Sequence, residues 1–549
     1  MMHAPARDLR RQSGEATFVR VPPVLTAFAA LLGRRPYLGA AGLFLVALVP
    51  LLATPVLPLI DHYNHVARFY VLSHLTSDPL LAANFKAHWA LLPDIGLDVV
   101  ATPLLAVLPP LPAAHLLAVL VMAVLFSGVL YFNRALTGRP QPLVALLMVP
   151  LLYSYVFNWG FSNYILAEGA AFWAAGWWVA NRAHPIKATP VAIIFAFLIF
   201  LCHAMAFALY GIMLGLLEIG FFLRARPRQA RDLLMRLSLL LLQAVVPVLL
   251  FVAWEQSRSG EAAIVHHSGF GAASYLHNLT PRPGHIGLRR LQTILRVEEG
   301  PAYWFDILTF LLQLAAIGFL FWRRRAALTR TAWLLVAAGL LMIVFVPTMM
   351  FGVNYIADRM PLFAALLLLG ALQVSQEVWS GRERLACTLL AAVMLARIGA
   401  TAVQWRGYGE DYRQFQSVAA HLPPGAFTLN LALGAGRHET EIPRCEMYGG
   451  LLIAQYRQIG PLFAFKGQHP VLLAGQLQQN VARLEQDAAA AEERIGDGRA
   501  YMMAARSAGF DYLLLCNAQL LAGPPPAGFS VLARTQRFLL MRMKAGVTN

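Results

Sequence analysis

The clearest chemical candidates lie where a long apolar run ends at a carboxylate, in residues 61–68, DHYNHVAR. If Asp61 begins a helix, the helical repeat places Asp61, His65 and Arg68 near one face. Partial desolvation above an apolar cavity would raise the pKa of Asp61 and suit it to act as a general base. The structural alternative is that Asp61 caps the helix and pairs with Arg68.

Three later segments add polar side chains next to apolar runs. Asn158 and Asn163 bound a short loop, and Glu168 follows one turn into the next apolar run. An ionisable residue at that depth costs free energy and is a functional candidate, although a pairing that fixes helix packing would also explain it. His203 lies at the same level, and a lone histidine there is more often a packing residue than a ligand.

The pair Asp358-Arg359 precedes a late apolar run. Arginine presents a planar fork of donors, so Arg359 at a helix start could hold a phosphate. It could equally anchor the helix at the membrane surface by extending its side chain to the headgroups.

Composition shows which elements must position these residues. The chain has 549 residues, 58% hydrophobic and only 13% charged, with a mean hydropathy of +0.58. Soluble proteins are about 45–50% apolar and about 25% charged. A disordered chain, a fibrous repeat and a small disulfide scaffold are excluded, and the composition predicts a polytopic membrane protein, mainly α-helical.

Hydropathy predicts about eleven transmembrane helices, since one span needs ~20 mostly apolar residues. The run 189–223 is short for two full spans, so it is either two short helices or a re-entrant pair. The predicted spans are 37–60, 111–132, 142–157, 164–180, 190–204, 207–223, 237–254, 303–322, 333–351, 361–378 and 385–403.

The basic residues predict the orientation. The formal net charge is +16, which in a soluble protein would suggest nucleic acid. Here the alternate loops that begin with the N-terminus hold 21 Lys and Arg residues, against 8 in the opposite loops before residue 404. Because cytoplasmic loops are enriched in basic residues, the N-terminus is expected in the cytoplasm, and no nucleic-acid partner is expected.

Three regions follow from this topology. They are a basic cytoplasmic segment 1–36, a transmembrane domain 37–403 with outer loops 61–110 and 257–300, and an extracytoplasmic α/β domain 404–549. In the last region, 426–431, 511–516, 529–533 and 538–543 are predicted strands, and 474–494 is a predicted helix. Its two cysteines, Cys445 and Cys516, could form a disulfide in an oxidising compartment or remain two unrelated buried thiols.

This arrangement resembles the GT-C superfamily of membrane glycosyltransferases. The resemblance rests on multiple spans, an acid in the first outer loop, a second large outer loop and a C-terminal outer α/β domain. Locally, residues 61–68, the 158–163 loop and Asp358-Arg359 resemble uncharacterised bacterial membrane glycosyltransferases. The signatures of the better-known families are absent, and so are a P-loop, an Asp-x-Asp motif and any Cys/His spacing typical of zinc.

The resemblance implies a polyprenyl-phosphate-linked sugar as donor and a glycan, lipid or protein as acceptor. It implies Asp61 as general base, and substrate or phosphate contacts from the other candidates. Arg68 or Arg359, or a divalent cation held by His62 or His65, would stabilise the departing phosphate. The implied contacts are His62, His65, Arg68, Asn158, Asn163, Glu168, His203, Asp358 and Arg359.

Two other functions remain open at the level of sequence. A transporter or flippase for a lipid-linked saccharide would have ionisable groups near the bilayer midplane and an internal repeat. No repeat is visible, and the deeper charges are chiefly Glu218 and Arg397. A non-catalytic subunit of an envelope glycan complex would use its outer domain to bind a partner.

Overall fold

The computed structural model describes residues 35–258, 286–300, 302–350, 354–375, 380–434, 445–462, 468–492 and 498–543. The predicted cytoplasmic segment up to residue 34 and residues 259–285 of the second outer loop lie outside these ranges.

Helices form most of the described chain. In chain order they are α1 (Pro36–Ala47), α2 (Val49–Leu52), α3 (His62–His74), α4 (Pro79–Asn84), α5 (Gly96–Val107), α6 (Pro110–Thr137), α7 (Pro142–Leu151), α8 (Tyr155–Asn158), α9 (Ser162–Ala180), α10 (Pro185–Cys202), α11 (Ala204–Arg224), α12 (Ala230–Arg258), α13 (Ile286–Leu295), α14 (Tyr303–Trp322), α15 (Trp333–Phe345), α16 (Ile356–Ala371), α17 (Gly381–Ala419), α18 (Met447–Tyr456), α19 (Gly475–Glu492) and α20 (Arg499–Ser507).

Six of these helices are long and apolar enough to cross a membrane within the described part of the chain: α6, α10, α11, α12, α14 and α17. The shorter apolar segments are α1 with α2, α5, α7 and α15. Large apolar side chains such as Leu241 and Leu249 on α12 are 70% and 64% exposed. Contiguous apolar surface of this kind is typical of contact with a bilayer, which supports the prediction of a membrane protein.

The ambiguous run 189–223 forms two separate helices, α10 and α11, of 18 and 21 residues. The break falls at His203, whose backbone is extended, and whose Nδ1 accepts a hydrogen bond from the amide of Met205 at the start of α11. Both helices are long and apolar enough to cross a membrane, so the run consists of two separate helices.

Helices α6 and α9 pack closely because glycines remove side chains from their contact. A Cβ added to Gly128 would meet the carbonyl oxygen of Gly169, and a Cβ on Gly169 would meet the backbone of Leu125. Small residues that let two backbones approach are typical of helix packing in membranes. This pair forms the centre of the helical body.

The C-terminal region contains a four-stranded sheet in the order β4 (Thr428–Ala432), β6 (Tyr512–Cys516), β8 (Phe538–Met543) and β7 (Phe529–Arg534). β4 and β6 are parallel, and the other neighbours are antiparallel. The strands and the helix α19 confirm the predicted sheet region. The predicted boundary at residue 404 falls inside α17, whose 39 residues run without interruption from the apolar segment into this region.

Two small ladders join distant segments of the chain. β1 (Phe85–Ala87), in the predicted first outer loop, pairs antiparallel with β5 (Val471–Leu473) in the C-terminal region. β2 (Ala326–Leu328) pairs in the same way with β3 (Leu372–Val374).

The C-terminal region is docked onto the first outer loop at further points. Arg457 donates to Asp78 at 2.6 Å, and the amide of Leu477 donates to Asn84. Helix α18 lies directly on the start of α3, where a Cβ added to Gly450 would meet the carbonyl oxygen of Tyr63. The two segments are separated by almost 400 residues in sequence, yet they form one packed unit.

Gly450→Val is expected to disrupt this docking, because the new side chain has to displace the backbone at the start of α3. The expected result is a thermal midpoint lowered by several degrees and faster limited proteolysis of the C-terminal region. Gly449→Ala is the matched control, since the nearest atoms to a Cβ at that position lie 3.7 Å away or more. Equal stability of the two variants would contradict the docking.

Candidate functional site

Asp61 lies where the loop before α9 meets the start of α3. Its amide donates to the carbonyl of Trp159 at 3.0 Å, and Gly160, with a φ of +84°, packs against the backbone of Asp61 and His62. A Cβ at Gly160 would collide with those backbone atoms. The loop therefore fixes the position of Asp61 through main-chain contacts, which leaves the carboxylate available.

The carboxylate of Asp61 makes no capping hydrogen bond to α3, and Arg68 is paired elsewhere, so the structural alternative of a cap paired with Arg68 is wrong. The pKa of Asp61 is raised to about 7, chiefly by burial and then by the neighbouring carboxylate of Glu446, while the positive charge of Arg359 acts in the opposite direction. A carboxyl group with a pKa near 7 can accept and release a proton at neutral pH.

Arg359, in the first turn of α16, is the cation of this site and is only 5% exposed. Its guanidinium lies 4.4 Å from the ring centre of Phe161 and 5.1 Å from that of Tyr164. Its Nη1 is 2.9 Å from Nε2 of His203. Among the described residues it has no carboxylate in ion-pair contact, and its Nε has no hydrogen-bond partner.

A buried guanidinium without a carboxylate partner is costly, because its charge is removed from water without compensation. Arg359 lies within electrostatic range of both Asp61 and Asp94. The arrangement therefore offers an unsatisfied positive group that an anionic ligand, such as a phosphate, would complete.

Asp94 and His469 form an acid–imidazole pair close to Asp61 and Arg359. Nε2 of His469 is 3.6 Å from Oδ2 of Asp94, and the His469 side chain is only 4% exposed. The pairing of β1 with β5 carries His469 to the site, and the amide of His88 donates to the carbonyl of Pro470 at 2.8 Å. Burial lowers the pKa of His469 well below its usual value and raises that of Asp94.

Several predicted site residues are held by protein contacts. Arg68 forms a fully buried bidentate pair with Asp98, at 2.6 and 2.9 Å, so its predicted role in holding a departing phosphate is not supported by its geometry. The side chain of Asn158 donates to the carbonyl of Glu299. The side chain of Asn163 accepts a hydrogen bond from the amide of Leu97 and donates one to the carbonyl of Asp94. The two asparagines shape the site through the backbone and do not point to a ligand.

His62 and His65, predicted as possible ligands of a metal ion, contact protein groups in the structure. Nε2 of His62 donates to the carbonyl of Ala114, and Nδ1 accepts from the hydroxyl of Ser162. With both nitrogens engaged, His62 is a packing residue. His65 stacks on Phe69, and burial lowers its pKa well below the usual value. The described residues contain no group of three or more potential metal ligands.

The remaining predicted residues lie around Arg359. Glu168 is buried, accepts a hydrogen bond from the Tyr164 hydroxyl at 3.4 Å, and has one oxygen, Oε2, without a partner among the described residues. His203 contacts Arg359 directly, as described above. Asp358 faces the positive charges of three arginines of the preceding outer segment, Arg289, Arg290 and Arg296.

Asp61, His203, Asp358 and Arg359 are thus brought together as the sequence suggested, and Glu168 lies next to them. Asp94, Glu446 and His469 were missed as site residues. Asp94 has a recognisable signal only in the structure, where its φ of +81° is unusual for a residue other than glycine. The positions of Glu446 and His469 depend on the docking of the C-terminal region, which has no local sequence signal.

Cys445 and Cys516 are joined by a disulfide. It connects the residue before Glu446 with the last residue of β6, so it ties the start of α18 to the sheet. The side-chain amide of Asn430 also donates to the backbone carbonyl of Cys445 at 2.8 Å. Glu446 is therefore fixed at the point where α18 meets α3.

A small cavity lies elsewhere, between α11 and α12. It is lined by two arginines, Arg182 and Arg236, together with Glu218 and Asp232. Glu218 accepts from Arg182 at 2.8 Å, and Asp232 accepts from Arg236 at 2.9 Å. Because these charges neutralise one another, the cavity does not offer the unsatisfied charge that Arg359 offers.

Arg68→Met is expected to destabilise the protein by about 3–5 kcal/mol, because it leaves Asp98 buried without a compensating charge. The double variant Arg68→Met/Asp98→Leu should recover most of that loss, since it removes both charges. Chemical unfolding of the three proteins measures the difference. A double variant as unstable as the single one would show that the ion pair is not the cause.

Comparison with models of known protein families finds no match, and comparison with curated proteins finds none either. A functional assignment for this chain therefore depends on the arrangement of its own residues.

Proposed function

We propose that the protein is a membrane glycosyltransferase that moves a sugar from a polyprenyl-phosphate donor to an acceptor outside the cytoplasm. The observation that carries this proposal is that Asp61, a carboxyl group with a pKa of about 7, lies within electrostatic range of Arg359. Arg359 is a buried cation without an ion-pair partner among the described residues. The first group can take a proton from an acceptor, and the second can hold the phosphate of a donor.

The topology belongs to the same proposal. It comprises about eleven membrane crossings, an N-terminus in the cytoplasm, and a C-terminal domain on the outer side of a bacterial-type cytoplasmic membrane. The distribution of arginines supports it. Two of them join different predicted cytoplasmic loops: Arg325 donates to Glu383, and Arg236 donates to the carbonyl of Arg182. Asp61 and Arg359 lie on predicted outer segments.

The reaction is a single displacement. The acceptor hydroxyl oxygen attacks the anomeric carbon while Asp61 takes its proton, and a new carbon–oxygen bond forms. The bond between the anomeric carbon and the phosphate oxygen breaks, and its electron pair goes to that oxygen. Arg359 stabilises the negative charge that develops on the phosphate. Neither an oxidant nor a second co-substrate is needed.

The low-dielectric setting makes both groups effective. The interaction between Arg359 and a phosphate is stronger than it would be in water. The rings of Phe161 and Tyr164 on the guanidinium restrict its motion, so little reorganisation is needed when charge develops. A lipid-linked donor also suits a site formed at the ends of apolar helices, because its isoprenoid chain can remain in the bilayer.

Asp61→Asn is expected to lower sugar transfer by roughly 10²- to 10⁴-fold, because the amide cannot accept the proton. The assay measures the transfer of radiolabelled sugar from polyprenyl phosphate to acceptors in a membrane extract, in the presence of the purified protein. For the wild type, transfer should rise with pH through about 7 and then level off, since Asp61 must be ionised to act as a base. The variant should remain folded at pH 8, because the neutral amide replaces a carboxylate whose ionised form is disfavoured by burial.

Glu410→Gln is the matched control, because Glu410 is a solvent-exposed carboxylate paired with Arg413 on the surface. It should retain wild-type transfer. Transfer by Asp61→Asn equal to that of the control would contradict the role of Asp61 as the general base. Movement of the lipid-linked sugar across the membrane without transfer would indicate a flippase.

Arg359→Met is expected to weaken binding of farnesyl phosphate by roughly 10- to 100-fold, the loss expected for one or two hydrogen bonds to a charged group. The measurement is equilibrium binding to the protein in nanodiscs. Arg413→Met, at an exposed arginine, serves as the control. Equal affinity of both variants would place the phosphate elsewhere on the protein.

A further inference from the structure

The site has two sides of different chemical character. Arg359, His203 and Tyr164 come from the ends of apolar helices, where a lipid-linked donor would arrive. The other side is a seam between the first outer loop and the C-terminal region, formed where α18 and β5 are docked. Its polar groups come from both parts of the chain, so it exists only because the C-terminal region is in place.

Carboxylates and imidazoles line this seam. Glu446, at the start of α18, is close enough to Asp61 for its charge to affect that carboxylate. Asp94, whose side chain is one third exposed, lies 3.6 Å from His469. The ring of His469 is perpendicular to that of His65, with centroids 6.4 Å apart. Burial lowers the pKa of both histidines, which makes them neutral at pH 7.

Aromatic rings border the same place. Trp159, whose carbonyl holds the amide of Asp61, lies 4.5 Å from Tyr355 between ring centroids. Tyr355 is 40% exposed. The indole Nε1 of Trp159 has no hydrogen-bond partner within the described ranges, and neither does Nε of the deeply buried Arg359. Both nitrogens are enclosed by protein atoms, so the groups of this border that a ligand can contact are the exposed ring of Tyr355 and the partly exposed carboxylate of Asp94.

We propose that the seam is the acceptor subsite and that the acceptor is an uncharged, hydroxyl-rich sugar bound by Asp94, with His469 as its positioning residue. This inference rests on the proposed function and deepens it, since it selects a glycan over a lipid or protein acceptor. The carboxylate of Asp94 accepts hydrogen bonds from the sugar hydroxyl groups, and the exposed ring of Tyr355 contacts the apolar face of the sugar.

The charges of the seam carry the choice of an uncharged acceptor. With the donor phosphate on Arg359, the ionisable groups that remain toward the acceptor are the carboxyl groups of Asp61, Asp94 and Glu446, which disfavour an acceptor bearing a carboxylate or phosphate. Carboxylate oxygens accept hydrogen bonds from hydroxyl groups, and aromatic rings provide large apolar contacts at low entropic cost. The acceptor hydroxyl that reaches Asp61 loses its proton to that group.

His469 acts on the acceptor through Asp94. Its imidazole lies beside the carboxylate on the side of the C-terminal region, while Asn163 holds the Asp94 backbone carbonyl at 2.8 Å. Together these contacts hold the carboxylate toward the seam. Removal of the imidazole should therefore weaken acceptor binding and leave the donor phosphate at Arg359 unaffected.

Saturation-transfer NMR on the full-length protein in nanodiscs tests this assignment. The probes are the neutral trisaccharides maltotriose and mannotriose, with trigalacturonic acid as the acidic counterpart. With farnesyl phosphate bound, so that Arg359 is occupied, we expect saturation transfer to at least one neutral trisaccharide and none to the acid. Asp94→Asn and His469→Gln should each weaken neutral binding about tenfold, the loss expected for one charge-assisted hydrogen bond. His421→Gln, at an exposed histidine, is the control and should bind as the wild type does.

Farnesyl phosphate binding provides the second readout: it should be unchanged in His469→Gln, and it should not be weakened in Asp94→Asn, because loss of a negative charge near Arg359 favours an anion. Equal signals from neutral and acidic sugars, no signal from either neutral probe at 10 mM (about the weakest binding such sites use), or full binding by both variants would overturn the inference. If neutral sugars fail to bind while Asp61-dependent transfer persists, the acceptor assignment fails alone. If farnesyl phosphate fails to bind, the proposed function fails instead.

Discussion

Arg68 and Asp98 form an ion pair that is shielded from solvent on both sides, with two hydrogen bonds between them. Burial of two charges costs several kcal/mol per ion and is tolerated only where the geometry is good. The pair joins α3 to α5, so it sets the position of Asp61 at the start of α3 relative to Asp94, which precedes α5. The relative placement of Asp61 and Asp94 therefore depends in part on this contact.

The remaining parts of the site are added to this frame from distant segments. The loop at Trp159 and Gly160 positions Asp61 through the backbone, and α16 brings Arg359. The C-terminal region, held by the β1–β5 ladder and by α18 on α3, brings Glu446 and His469. Arginine-rich segments lie on other loops, where carboxylates such as Glu218 and Glu383 neutralise part of their charge. The unsatisfied charge is thus concentrated around Arg359.

Apolar helices and the C-terminal strands could be predicted because hydropathy and residue alternation are local signals. Asp61 and Arg359 were recognisable as ionisable groups at the ends of apolar runs. The partner of Arg68, the closeness of Asp94 to His469, and the run of α17 through residue 404 could not be predicted. Each depends on contacts between segments far apart in sequence, and a lone histidine such as His469 gives no indication of the strand pairing that places it.

A cryo-electron microscopy structure of the protein in nanodiscs with farnesyl phosphate tests the central claim most directly. We expect phosphate density within about 3 Å of the Arg359 guanidinium, the usual distance for such a hydrogen bond, with the isoprenoid chain running between apolar helices. The face of the phosphate toward Asp61 should remain open to the seam. Phosphate density between Arg182 and Arg236 with none at Arg359 would contradict the proposed site.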